Sequence, residues 1–388
     1  MKVLRVHNSY RQQGGEDVVF AAEGRLLRSA GQEVVEVLAD NHRIAGRGGL
    51  GTALTAIWSP TYHRRLKEII ATERPDICHF HNTFPLVSPS AYYACRSAGV
   101  PVVQTLHNYR LLCAASTLYR DTHTCEDCLG KSIPWPAVAH ACYRGSRSAS
   151  AAVGAMIVAH RAAGTWTRLV DLYVTPSEFA RNLFVREGFP ADRIVAKPNF
   201  VPFDPGVGSH DGGYALFVGR LTPEKGVDIL ARAWETIGDR LPLVVAGTGA
   251  LEPQLRRIPG IRLVGQQDSE QVFALMKRAR LLVSPSVLYE TFGLTVVEAF
   301  ATGLPVLASR LGTSTELIDD GVNGVHFNAG DADDLVRKVE WALGHVDAVA
   351  AMGRAGRAAF EANYSAEAAR APLLDVYRRA IARRSTLR

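Results

Sequence analysis

The stretch Val201-Pro202-Phe203-Asp204-Pro205-Gly206-Val207-Gly208-Ser209-His210-Asp211-Gly212-Gly213 decides the reading of the fold. It is rich in Gly and Pro and has no apolar periodicity, so it reads as an interdomain linker. Before it lie six strand-like runs: Val3–Val6, Val34–Leu38, Ile77–Phe80, Pro101–Thr105, Tyr173–Thr175 and Ile194–Ala196. After it lie six more: Ala215–Val218, Leu243–Ala246, Ile261–Val264, Leu281–Ser284, Val306–Ala308 and Gly324–Phe327. Helical patterns separate them, among them Asp17–Ser29, Pro89–Ala98, Ala149–Leu169, Glu178–Glu187, Val227–Ile237, Gln271–Lys277 and Leu294–Ala301. Regular alternation of this kind predicts parallel sheets with helices on both faces. The expectation is an α/β chain of two doubly wound domains facing each other across a cleft. Residues 1–200 form the first, 201–213 the linker and 214–365 the second. A last helix, Ala366–Arg384 within 366–388, is free to pack back across the linker. In such sheets ligands bind beyond the carboxyl ends of the strands, so the loops after strands are where chemistry is sought.

Composition narrows the classes. The 388 residues are 47% apolar and 21% charged, which excludes disordered, collagen-like and disulfide-scaffold chains. No stretch approaches the ~20 uninterrupted apolar residues that span a bilayer. The opening MKVLRVHNSY reads as a strand and not as a signal peptide, so a cytoplasmic chain is expected. Net charge is +6 and uneven: residues 1–200 hold 23 Lys+Arg against 16 Asp+Glu, and the rest hold 21 against 22. The basic half suits an anionic partner, either a phosphorylated ligand or a membrane surface met peripherally, or is a solvated face. Nucleic acid is disfavoured, because no basic run carries interleaved aromatics.

Three features of the second half carry chemistry. In Val218-Gly219-Arg220-Leu221-Thr222-Pro223-Glu224-Lys225-Gly226, Arg220 and Lys225 sit in a strand-to-helix loop, a planar fork and a point charge suited to a diphosphate. In Glu290-Thr291-Phe292-Gly293-Leu294-Thr295-Val296-Val297-Glu298, backbone N–H groups around Phe292, Gly293, Leu294 and Thr295 open a helix, a ready anion site. Glu290 and Glu298 flank it and can accept bonds from sugar hydroxyls. Gly247-Thr248-Gly249 follows another strand. The full Rossmann fingerprint and the Walker A pattern are both absent, which argues against nicotinamide enzymes and P-loop NTPases.

From these residues outward the second half resembles the nucleotide-sugar domain of the retaining glycosyltransferases of family four, which have the GT-B fold. VGRLTPEKGVDIL, VVAGTGALEPQL, VGQQDSEQVFALMKRARLLVSPS, ETFGLTVVEAFATGLPVLAS and LGTSTELIDDGVNGVHF occur in the family's order over residues 214–328. The first half agrees through Gln13-Gly14-Gly15-Glu16-Asp17, Pro75–Asn82 and Pro101–Tyr109. The resemblance implies diphosphate contacts from Arg220, Lys225, Gly15 and the Phe292–Thr295 backbone. It implies a ribose contact from Glu298, and base contacts from Val264, Gly265 and Gln266. Glu290 and His107 would meet the donor sugar at the reaction centre. His81, Asn82, Asn108 and Tyr109 are candidates for the acceptor. Asp17 takes the acidic place usual after the glycine pair.

Four cysteines, Cys113, Cys125, Cys128 and Cys142, cluster in an insertion over about 110–145 with one C-x2-C knuckle. A structural Zn²⁺, free thiols and disulfides are all open for them. Cys78 and Cys95 read as core. The expected activity is retaining, metal-independent transfer of a hexosyl unit from a nucleoside diphosphate sugar to a hydroxyl, in glycan, exopolysaccharide or glycolipid synthesis. The alternatives are an epimerase of GT-B shape, a transferase for a soluble small molecule, and a binding protein without turnover.

Overall fold

The structure, a computed structural model, describes residues 1–9, 14–41 and 49–386. Two compact units divide the chain. The first comprises Met1–Leu118, Cys125–Pro198 and Ala369–Arg388, the second Tyr119–Thr124 and Asn199–Ala368.

The first unit is built on β1 (Lys2–Ser9), β2 (Glu33–Asp40), β3 (Ile77–Asn82) and β4 (Val102–Thr105). A small hairpin, β5 (Tyr119–Arg120) with β6 (His123–Thr124), comes next in the chain but groups with the second unit, and β7 (Leu172–Thr175) and β8 (Ile194–Ala196) complete the first sheet. Its order is β2-β1-β3-β4-β7-β8, all parallel. The second unit has β9 (Ala215–Val218), β10 (Leu243–Ala246), β11 (Ile261–Gly265), β12 (Leu281–Ser284), β13 (Val306–Ser309) and β14 (Val325–Phe327). Their order is β11-β10-β9-β12-β13-β14, again parallel. The α/β class is as the sequence reads, and all twelve sheet strands are among the runs quoted above. Strand order reverses between β1 and β3 in one sheet and between β9 and β12 in the other. Those are the switch points where such folds open a crevice.

Period-two alternation builds the second core. Ala215 and Phe217 join Trp234, Leu243 and Val245 on one face. Leu216 and Val244 join Leu282, Val297 and Phe300 on the other. Helices start where side chains can cap them. Ser177 Oγ accepts from Ala180 N, and Asp268 and Gln271 form a reciprocal box.

Two expectations need correcting. The helix read over Ala149–Leu169 is two helices, Arg147–Ala162 and Thr165–Arg168, parted at Gly164 with φ of 65°. Helices Gly49–Ile57, Pro60–Glu73, Ala332–Gly344 and Val346–Ala359 are further elements between the strands. The Gly/Pro stretch 201–213 is fastened to the second unit. Gly208, His210 and Gly212 N–H donate to Thr302, Lys277 and Arg278 carbonyls at 2.7–2.9 Å, and Asp204 pairs with Arg357. The last helix, Ala366–Thr386, joins the first unit from Ala369 onward. There Tyr377 and Arg384 are buried and reach His79 and Asp171.

Candidate active site

In the second unit the loops after β9 and β12 leave adjacent strands at the switch point. Gly226, at φ of 71°, lets the first loop lie against the Pro285 carbonyl, which any Cβ would strike. Val287 N donates to Glu224 O at 3.1 Å. This contact brings Lys225 Nζ to 2.5 Å from Glu290 Oε1. Ser286 Oγ donates to the same oxygen at 2.7 Å, and Thr313 Oγ1 to the Glu290 carbonyl at 2.7 Å. Burial opposes ionisation of Glu290, but Lys225, Ser286 and Arg220 outweigh it and lower its pKa. Arg220 is exposed and pairs with Glu224 at 3.4 Å.

Gly293, at φ of 106°, caps helix Leu294–Thr302. Of its first-turn N–H groups, Val296 N donates to Gly293 O at 3.0 Å, and the earlier ones have no acceptor within the helix. Inside the helix Glu298 is half-buried and makes no hydrogen bond or ion pair among the described residues. Burial alone pushes its pKa up to about 7. Val264 and Gly265 end β11 and Gln266 follows it; Gly265 O accepts from Gly247 N at 2.8 Å.

In the first unit Gly15 begins helix Gly15–Ser29, and Gln13 lies outside the described residues. Asp17 bonds Gly14 N at 2.8 Å and His7 Nε2 at 2.8 Å. His107 follows β4 and is buried, its Nε2 2.9 Å from His81 Nδ1. Asn82 is engaged by backbone at both ends of its amide: Nδ2 donates to Asn8 O, and Oδ1 accepts from Phe84 N. Tyr109 is buried and stacks on Phe184. Asn108 Nδ2 donates to Glu16 at 2.6 Å.

Sequence reasoning missed what lies beneath His81. Glu23 is fully buried with Lys197 Nζ at 2.9 Å, His81 Nε2 at 3.4 Å and His79 Nδ1 at 3.9 Å. Burial disfavours its charge, but Lys197 above all, with Arg5, brings its pKa down to about 2. His79 is held between Thr105 Oγ1 at 2.7 Å and Tyr377 Oη at 2.9 Å, and burial lowers its pKa to about 3. The signal was available: Glu23 sits on the stripe Val19, Phe20, Leu26, Leu27 where every neighbour is apolar. Glu23, His79 and His81 present ligand atoms within 4.8 Å of one another. With Lys197 already neutralising the carboxylate and Arg5 beside His81, the group suits charge pairing and not a metal.

The six cysteines form no disulfide. Burial, then Cys113, Cys142 and Cys125 nearby, push the Cys128 thiol up to about 11. Among the described residues no three of these sulfurs meet the 4.8 Å spacing found at Glu23, His79 and His81. The sequence also contains an Asp-x-Asp string, Asp331-Ala332-Asp333. It is a helix cap, with Asp331 accepting from Asp334 N at 2.9 Å.

Two parallel six-stranded sheets of this order, the second with a cationic loop and a helix start at its switch point, are the architecture of the GT-B glycosyltransferases. The profile described as Glycosyltransferase Family 4 matches residues 3–204, and that of Glycosyl transferases group 1 matches 212–345. The chain belongs to glycosyltransferase family 4. Phosphatidyl-myo-inositol mannosyltransferase of Mycobacterium leprae is 25% identical over 291 residues, 73% of this chain and 68% of that one. An uncharacterized glycosyltransferase of Methanocaldococcus jannaschii is 34% identical over 135 residues, which is 33% of this chain and only 38% of the relative. Among solved structures, Anabaena Alr3699/HepE in complex with UDP matches with TM-score 0.68 at 17% identity, covering 97% of this chain and 99% of that one. Sucrose-phosphate synthase of Thermosynechococcus elongatus matches with TM-score 0.70 at 17% identity, covering 98% and 100%.

Proposed function

We propose that the chain moves a hexosyl unit from a nucleoside diphosphate sugar to a hydroxyl acceptor, with retention and without a metal. The observation that carries this is the Lys225–Glu290 pair at the β9/β12 switch point, three residues before Gly293, the N-cap of a helix that no side chain caps. As the bond from the anomeric carbon to the diphosphate breaks, negative charge grows on the leaving oxygen. Arg220, Lys225 and the N–H groups of Gly293 to Thr295 meet that charge, which is the service a metal gives elsewhere. Glu298, half-buried and without a hydrogen-bond or ion-pair partner among the described residues, accepts the ribose hydroxyls. Glu290, kept ionised by Lys225, meets the sugar. The acceptor hydroxyl attacks the same face from which the diphosphate leaves, and its proton passes to the departing phosphate oxygen. Relatives named as mannosyltransferases, and a fold neighbour solved with UDP-glucose, support a hexosyl donor.

The acceptor side is read as an anionic membrane surface, met peripherally. No helix among the described residues is long and apolar enough to cross a membrane. Leu54, Trp58, Ile133 and Trp135 are nevertheless exposed. They flank helix Arg147–Ala162 near its C-terminal end, where His160 bonds Ile57 O and Arg161 bonds Lys131 O. Apolar knobs among Lys131 and Arg161 suit an anionic interface.

Titration of UDP, GDP and ADP into the chain tests the donor site. Arg220→Ala or Lys225→Met should cost about 1.5–3 kcal/mol of binding, one charge-assisted bond. Unchanged affinity in both variants would remove the pair from the site. Turnover should survive EDTA, and product anomers followed by NMR should keep the donor configuration.

A further inference from the structure

Four of the six cysteines gather in the segment that follows β4, and all four belong to the first unit. Backbone bonds bring their places in the chain together. Ser116 N donates to Cys113 O at 2.9 Å, and Cys125 N to Leu118 O at 2.8 Å, so the knuckle 125–128 begins beside the Cys113 turn. Leu129 N donates to Glu126 O at 2.9 Å and Gly130 takes φ of 70°, which folds the knuckle tightly. Cys142 N donates to Ala137 O at 3.0 Å, while the Ala137 N–H meets the Cys128 sulfur and favours its thiolate. Burial, and then the like charge of Cys113, Cys142 and Cys125, work against a lone thiolate at Cys128. All three other sulfurs thus stand within electrostatic reach of it. Packing does not account for this arrangement. Across 125–133 no residue is buried. Ser116, Leu118, Ala141 and Arg144, none of them glycine, take φ between 49° and 69°. Such conformations persist only where the surroundings impose them. In small structures that lack a core, disulfides or a metal do this, and no disulfide forms here.

We propose that Cys113, Cys125, Cys128 and Cys142 bind one Zn²⁺ as a structural tetrathiolate that fastens the loop after β4 to the chain entering helix Arg147–Ala162. Zinc takes four sulfurs at about 2.3 Å in a tetrahedron, which sets them about 3.8 Å apart. As thiols, no three of them stand within 4.8 Å of one another among the described residues. A step between staggered χ1 wells moves a cysteine sulfur by about 3 Å, so closure is a matter of rotamers on a backbone already tied together. Each sulfur gives its proton to water as it binds. The ion's two positive charges then offset the repulsion that works against a lone thiolate there. Sulfur fills all four positions, so none is open to substrate and the ion takes no part in group transfer. Cys78 and Cys95 are fully buried on β3 and helix Ser90–Ser97 and stand outside the set.

Zinc in the purified, dialysed full chain is counted by mass spectrometry of the elements, and about one ion per chain is expected. Alkylation of the denatured chain without reductant should modify all six cysteines, which a disulfide would prevent. Exchange for Co²⁺ should give the sulfur-to-metal charge transfer and the intense d–d bands of a tetrahedral thiolate site. Prolonged dialysis against a strong chelator should lower Tm and hasten proteolysis within 125–133, and added Zn²⁺ should reverse both. Cys128→Ser and Cys142→Ser should each lose most of the zinc, and Cys95→Ala should keep it. Should the ligand variants fail to fold, the zinc count and the cobalt spectrum of the unaltered chain decide alone. A chain without zinc would overturn the proposal. So would iron in its place, a disulfide among the four, or a cobalt spectrum lacking the thiolate bands. None of these readouts is turnover, so a failure of the transferase reading would leave the zinc assignment standing.

Discussion

Glu298 carries opposite signs for stability and for binding. Its folded pKa of about 7 lies above the ordinary carboxylate value, and burial is the cause. A raised pKa means that the folded chain holds this proton more tightly than the unfolded one. The contribution to stability is complete below the ordinary value and is lost as pH rises through about 7. Glu298→Gln should then stabilise the unliganded chain at pH 8 by about 1 kcal/mol, with solvent screening allowed for, and change little at pH 4. Denaturant melts at the two pH values measure this. The same change should weaken UDP binding, and the rise in affinity expected for the unaltered chain between pH 6 and 8 should vanish. Glu290 and Glu298 were legible in the sequence because an identifiable strand and helix start fix where each one sits. Glu23 and Arg5 were not. Nothing in their own segments says that β3 and β8 bring His81 and Lys197 to them, since those contacts join residues far apart in the chain.

At the scale of elements, helix Gly15–Ser29 is tied to β1, β3 and β8 by a buried charge and not by apolar packing alone. Removing one partner leaves the other unpaired in the core. Lys197→Met should cost about 3–5 kcal/mol, and adding Glu23→Leu should return part of that loss, as a double-mutant cycle would show. The acid limb has a definite sign. Glu23 is depressed to about 2 and His79 and His107 to about 3, each below its ordinary value. The stability they confer is present above the unfolded pKa values and drains as pH falls, from about 6.5 for the histidines and about 4.5 for Glu23, toward 3 and 2. Thermal melts of the full chain should therefore show Tm falling from pH 6.5 downward. In the second unit Gly226→Ala should cost about 1–3 kcal/mol and weaken UDP binding, because a Cβ at positive φ strikes the Pro285 carbonyl. The strands were readable because each is a short apolar run closed by a turn. The β5/β6 hairpin has two residues per strand and carries no pattern to read. The strapped course of 201–213 was hidden because its bonds are made by backbone, which composition does not register.

For the whole molecule, the two units are not the two halves of the sequence. Ala369–Arg388 belongs with the first unit, where Tyr377 reaches His79 and Arg384 lies 2.8 Å from Asp171 Oδ2. A chain cut after residue 198 would leave Asp171, whose pKa burial raises to about 6, without its guanidinium. We expect such a fragment to melt well below the intact chain, and a fragment spanning 199–368 to keep UDP binding. The charge asymmetry of 23 to 16 against 21 to 22 belongs to this scale as well. Sedimentation with anionic vesicles should capture the full chain at low salt, and capture should fall steeply as salt shortens the screening length toward ~8 Å. Ile133→Ser with Trp135→Ser should reduce capture without lowering Tm, since both side chains are exposed. Equal, negligible capture by anionic and neutral vesicles would leave the basic half as a matter of solubility.

The return of the last helix has a consequence for how the protein is made. Synthesis runs from the amino end, and both segments of the second unit, Tyr119–Thr124 and Asn199–Ala368, are complete in the sequence before Tyr377 or Arg384 exists. At roughly 5–20 residues per second its translation takes on the order of ten to thirty seconds. Throughout that interval the first unit has left the ribosome with His79 and Asp171 lacking their closing contacts. The later half can thus finish folding first, and the earlier half waits for it. A nascent chain stalled in this window is the one a chaperone would meet.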